Sequence, residues 1–200
     1  MGVYKLSNSS VKTGRTIYGS MLAGNSSWVT PDTGAMFPLQ VVTVGPAGAS
    51  SVSFTNIPNT YSHLQIRASY LCSSSNNPYL RVGGSSIDTA GNYSWHHLYG
   101  DGSSALSNGN GSQSFVYFGY STNSSNPNVT IIDILDYANS NKNKTMKILA
   151  GQDNNGSGEV ALWSGSWQNS STAIQKIEFI PGAGNFTANS QFALYAVKGA

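Results

Sequence analysis

The chain is 200 residues long, with 10 basic and 8 acidic side chains and a formal charge of +2. Charged residues make up only 9% of it, against about a quarter in an ordinary soluble domain, so it has no concentrated basic face of the kind that exchanges counterions at nucleic-acid phosphates. No apolar run reaches the ~18 residues of a membrane-spanning helix, and Cys72, the single cysteine, excludes an intrachain disulfide.

Such a length suits one domain that buries roughly 70% of its unfolded surface. The opening Met1-Gly2-Val3-Tyr4-Lys5 carries no apolar signal-peptide core, so synthesis and folding in a reducing cytoplasm, without Sec-type export, is the expectation. The Asn-x-Ser/Thr triplets beginning at Asn8, Asn25, Asn110, Asn128 and Asn169 follow from a composition rich in Ser and Asn rather than from glycosylation. Cys72 follows Leu71 and reads as a small core residue.

Residues 1–37 form an arm in which Lys5, Lys12 and Arg15 are spread among Ser, Gly, Thr and Tyr, and Pro31, Gly34 and Pro38 punctuate its end. No amphipathic period is sustained there. Tyr4, Leu6, Ile17, Tyr18, Met21, Leu22 and Trp28 are too many apolar groups for a free linker, and they want a surface to cover. That surface is either a partner protein or the chain's own domain.

From residue 38 to 200 the chain reads as short strands separated by turn clusters, at the spacing of an all-β sandwich. Runs at 39–44 and 50–55 flank the turn Gly45-Pro46-Ala47-Gly48. In the next run Leu64, Ile66, Ala68 and Tyr70 share one face, with His63, Gln65, Arg67 and Ser69 on the other. Weaker strands fall near 79–82, 93–99 and 114–120, with a Ser/Asn/Gly loop from Ser103 to Ser114. The nearly continuous apolar run from Val129 to Tyr137 suits a central strand, in which Asp133 breaks the alternation and suggests a bulge. Further strands are expected at about 144–150, 158–163, 174–180 and 191–197, with Ile177 and Phe179 facing inward. About ten strands and no convincing helix give an all-β, antiparallel double-sheet sandwich of jelly-roll type.

Each cluster that resembles a catalytic or metal site fails on spacing. His96 and His97 are adjacent on a strand, so they point to opposite faces and do not share a metal. Asp153, Asn155 and Ser157 echo the start of a calcium loop, but Ser164 stands where a bidentate Glu belongs, and Asn155-Gly156 is better read as a hairpin turn. Asp133 and Asp136 lie three apart, on opposite faces of a regular strand, which argues against a glycosidase pair. Gly182-Ala183-Gly184 lacks the third glycine of a dinucleotide loop. Lys142, Lys144 and Lys147 read as a strand edge that repels stray pairing. We therefore expect no enzyme, no catalytic residue, no metal and no cofactor. Trp95, Tyr99, Trp163 and Trp167 are candidates for a glycan platform, because an apolar ring with a polar rim matches a sugar face; core packing is the alternative.

Several segments together resemble a group of tailed-bacteriophage structural proteins: Val3-Tyr4-Lys5-Leu6-Ser7, Tyr61-Ser62-His63-Leu64-Gln65-Ile66-Arg67, His96-His97-Leu98-Tyr99-Gly100-Asp101-Gly102, Ile131-Ile132-Asp133-Ile134-Leu135-Asp136-Tyr137-Ala138 and the closing Phe192-Ala193-Leu194-Tyr195. The resemblance implies a virion surface protein made in the host cytoplasm, and brings no catalytic residues with it. The expected role is a capsid decoration or cement protein. Its arm would lie on the major capsid protein and its sandwich would form a homotrimer, with no nucleic acid or membrane as partner. Such a role suits a chain with neither coiled-coil heptads nor collagen repeats to build a fibre shaft. The other expectation is a tail-fibre or tail-tip protein that recognises host surface glycans.

Overall fold

Alternation of apolar and polar side chains places each strand against a single core. In a computed structural model of the chain, which describes residues 36–120 and 126–198, twelve strands and no helix are found among those residues. They are β1 (Met36–Thr43), β2 (Val52–Phe54), β3 (His63–Tyr70), β4 (Tyr79–Gly83), β5 (Tyr93–Gly100), β6 (Ala105–Gln113), β7 (Val116–Tyr117), β8 (Asn128–Leu135), β9 (Lys144–Asp153), β10 (Gly158–Trp167), β11 (Lys176–Ile180) and β12 (Gln191–Val197). They pair antiparallel in an eight-stranded sheet of order β1-β12-β3-β8-β9-β10-β5-β6 and a four-stranded sheet of order β2-β11-β4-β7.

Four pairs are nested: β1 with β12, β2 with β11, β3 with β8 and β4 with β7. The chain is thus one long antiparallel ribbon folded back on itself and wound so that successive strands alternate between sheets. Two hairpins, β5–β6 and β9–β10, interrupt the ribbon, and both join the larger sheet beyond β8. Gln40 fastens the first turn of the winding: its Nε2 donates to Thr55 O at 2.6 Å and its Oε1 accepts from Thr55 N at 3.3 Å.

The expected inward faces hold. Leu64, Ile66, Ala68 and Tyr70 are buried, as are Ile177 and Phe179. Between the sheets lies an aromatic cluster with Tyr70–Phe118 centroids at 5.3 Å, Phe179–Phe192 at 5.1 Å and Phe186–Phe192 at 5.0 Å; each such contact adds roughly 0.5–1.5 kcal/mol beyond area burial. Cys72 is buried beside this cluster.

Several expectations change. Strand pairing begins at Met36, two residues before the expected start of the sandwich, and the arm candidates Tyr4, Leu6, Ile17, Tyr18, Met21, Leu22 and Trp28 lie outside the described residues. Asp133 makes no bulge, because its pairing with Gln65 and Lys147 is in unbroken register. It turns outward, accepting from Gln65 Nε2 at 2.8 Å with Lys147 Nζ at 3.4 Å, which supplies what an apolar neighbour would not. Nor do the lysines mark an edge: β9 is paired on both sides. Lys144 is buried there, its Nζ donating to Lys142 O at 2.8 Å and Asn169 O at 3.2 Å. The stretch expected as a loop from Ser103 to Ser114 holds β6, an exposed edge strand. Asn155 and Gly156 close the β9–β10 hairpin at φ of 62° and 102°, with Asp153 Oδ1 accepting from Asn155 N at 2.7 Å.

Candidate functional site

Four strands do not cover eight. The last strand of the small sheet, β7, is two residues long, and beyond it the inner faces of β10, β5 and β6 open into a cleft of about 430 Å³. Strand register sets its wall. Trp163 pairs with His97, and His97 with Asn108, in one row; Ala161, Tyr99 and Leu106 form the next. One step past the final pair of Gly100 with Val160 stand Asp101 and Glu159 at the mouth. Ala161 is what makes room beside Tyr99, since a larger residue there would fill the row.

The aromatic rings form a continuous stack. His97 lies 4.1 Å from Trp163 and 5.0 Å from Tyr99 by ring centroids, while Trp95 backs His97 at 5.6 Å with planes 19° apart. Tyr117 of β7 supports Trp163 at 5.6 Å. Three polar atoms in this stack, Trp163 Nε1, His97 Nδ1 and, in the layer behind, Trp95 Nε1, are buried without a hydrogen-bond partner, an arrangement that costs about 1–3 kcal/mol per group.

The acids differ in setting. Burial, with a smaller contribution from the Asp101 charge, raises the pKa of Glu159. Asp101 is held below the usual carboxylate range by the amides of Ser103 and Ser104, whose N–H groups donate to Oδ1 at 2.9 and 2.7 Å. Burial also lowers the pKa of His97, which favours the neutral ring. Among the described residues no Lys or Arg lines the cleft.

Of the four aromatic candidates, Tyr99 and Trp163 line this cleft, Trp95 sits in the layer behind, and Trp167 lies apart. Trp167 is 1% exposed and its indole N–H donates to Asp88 Oδ2 at 2.9 Å, locking the loop before β5. His96 and His97 do face opposite ways, His96 being exposed on the outer face. Asp136 pairs with Lys142 and lies 3.4 Å from His63, remote in role from the outward Asp133. Among the described residues no three His, Cys, Asp or Glu side chains are grouped to hold a metal ion. Glu159 and Asn108 went unread in the sequence, because Glu159 is brought to Asp101 only by pairing across 58 positions; the one available signal was the placement of Tyr99 and Asp101 on successive positions of an inward face.

No family model, curated protein or solved structure matches this chain. A second feature matters as much as the cleft: the outer face of the large sheet. Leu98, Leu162, Leu149 and Ile131 are consecutive cross-strand neighbours on β5, β10, β9 and β8, and Val160 and Val129 stand in the adjoining row, on either side of Gly151. Apart from half-buried Ile131, these side chains are 47% to 59% exposed.

Proposed function

We propose that this chain is a non-enzymatic surface protein of a bacteriophage particle, a decoration protein whose sandwich associates with further copies of itself while residues 1–37 engage the shell. The observation that carries this reading is the apolar row on the outer face. A protein that works alone rarely leaves six neighbouring aliphatic side chains on one flat surface.

The dimensions suit a protein partner. Eight strands at ~4.8 Å spacing and about eight residues of ~3.3 Å rise give a face of roughly 900 Å², close to one partner's share of a standard interface. Charge points to a second copy as the occupant. On this face Lys147 is already matched to Asp133, which leaves Arg67, beside Ile131, as a single further charge, too little for a strongly charged partner to meet. Another copy of a chain with 9% charged residues is the neutral surface that fits. We read the nested ribbon of the sandwich as a jelly-roll winding, an architecture of viral capsid and lectin domains, and that reading favours the proposal. Tail-tip binding of host glycans, the other expectation, draws its support from the aromatic cleft and not from this face.

Sedimentation of the full chain tests the proposal. Oligomers, with a trimer expected, should form at micromolar concentration, and Leu149→Asp should yield folded monomers. A wild-type protein that stays monomeric at the highest soluble concentration would sink the self-association. Particle composition then locates it: hundreds of copies on the head are expected, whereas a few copies on the tail would overturn the decoration role.

A further inference from the structure

We infer that the cleft between the uncovered halves of β5, β6 and β10 is a binding site for an uncharged saccharide of one or two pyranose rings. The inference does not depend on the decoration role, since it rests on the inner face and not on the outer one.

Shape comes first. A cleft of about 430 Å³ falls within the range of ~300–1,000 Å³ typical of small-molecule sites. Its inner wall is aromatic, with Tyr99 half-buried and its neighbour His97 stacked toward Trp163. The C–H face of a pyranose packs on such rings while its hydroxyls stay at the rim. The rim provides for them: Asp101 and Glu159 accept on one side, Asn108 offers an amide on the other, and all three line the opening.

The unpartnered atoms point the same way. The Trp163 side chain is 2% exposed, and its indole N–H has no acceptor. His97 Nδ1 also lacks a partner. A ligand bearing several hydroxyls, each both donor and acceptor, can satisfy an orphan N–H and an orphan ring nitrogen together; a hydrocarbon satisfies neither. Charge then narrows the class. With two acids at the mouth and no Lys or Arg among the described residues of the lining, sialylated, sulfated or phosphorylated sugars would meet repulsion without compensation. A neutral sugar meets acceptors for its hydroxyls.

Single-site affinity in so open a cleft should be weak, and display in many copies would raise it through effective concentration. The test uses the full chain titrated with maltose, cellobiose, lactose and N,N′-diacetylchitobiose, followed by tryptophan fluorescence and by two-dimensional NMR. At least one of these should saturate with a Kd in the millimolar range or tighter, shifting the Trp163 indole resonance. Tyr99→Ala, at a half-buried position, should weaken binding at least tenfold with its melting temperature recorded as a folding control. Asp101→Asn, on an exposed turn, should weaken it without unfolding. Absence of any shift up to about 10 mM of each sugar, undiminished binding by Tyr99→Ala, or preference for 3′-sialyllactose over lactose would each overturn the assignment. Monomerising the protein with Leu149→Asp should leave the single-site Kd unchanged, which separates failure here from failure of the self-association.

Discussion

At the scale of single residues, the chain places its few charges where the backbone needs them. Lys144 is fully shielded yet answers two carbonyls, Lys142 O and Asn169 O, and its ammonium lies 5.9 Å from the Trp167 ring centroid. Removing it strands both carbonyls, so Lys144→Ala should cost about 2 kcal/mol or more, measured by urea denaturation; a loss below about 0.5 kcal/mol would mean that water replaces the ammonium. Glu159 behaves in the opposite sense to a salt-bridged acid. Its folded-state pKa is raised by burial, so the stability tied to its neutral form is complete below the unfolded value of ~4.3 and is lost as the pH climbs through the folded value. Glu159→Gln stays neutral throughout. The variant should therefore gain on wild type as pH rises from about 4 to 7, and thermal melts across that interval should show the gap widening.

Strands with a strict apolar alternation could be read directly from the residues: β3 and β11 have the faces that Leu64 to Tyr70 and Ile177 to Phe179 foretell, and the Asn155-Gly156 hairpin forms where its turn residues stand. β6 could not. From Ala105 to Gln113 its side chains are nearly all exposed, so no burial pattern marks it, and it is a strand only because the backbone of β5 offers hydrogen bonds. The cleft was half legible for a related reason. Trp163 and Tyr99 stand out as aromatic, but which rings meet depends on the register of β5 against β10, and what stays open depends on how short β7 is. Glycine enters at this scale too. A Cβ on Gly165 would sit 2.5 Å from Val116 Cγ1, which is how closely β10 passes under β7. Gly165→Val should force the sheets apart there at a cost of about 1–3 kcal/mol. The nearby cleft should report it as changed tryptophan emission; unaltered stability and emission would show that β7 yields freely.

For the whole molecule, division of labour between two faces is the main feature. The inner face of the large sheet is spent on the core under β2, β11, β4 and β7 and on the aromatic cleft beyond them, while its outer face is left apolar across the centre. A monomer would hold this face to water permanently, so the expected self-association is also a solubility requirement: Leu149→Asp should raise the soluble limit of the isolated chain even as it abolishes the oligomer. The ribbon winding has a different consequence, in time rather than in space. β4 and β7 can meet early, but β12 enters a slot between β1 and β3, with Met36 waiting for Val197. While the chain is being synthesised that slot stays empty until β12 itself has left the ribosome, and pairing across so great a sequence separation is slow. During the wait β1 and β3 flank a vacancy shaped for one strand, and the β12 of a neighbouring chain fits it as well as the chain's own. Strand exchange between newly made copies is thus a hazard written into the order of the ribbon.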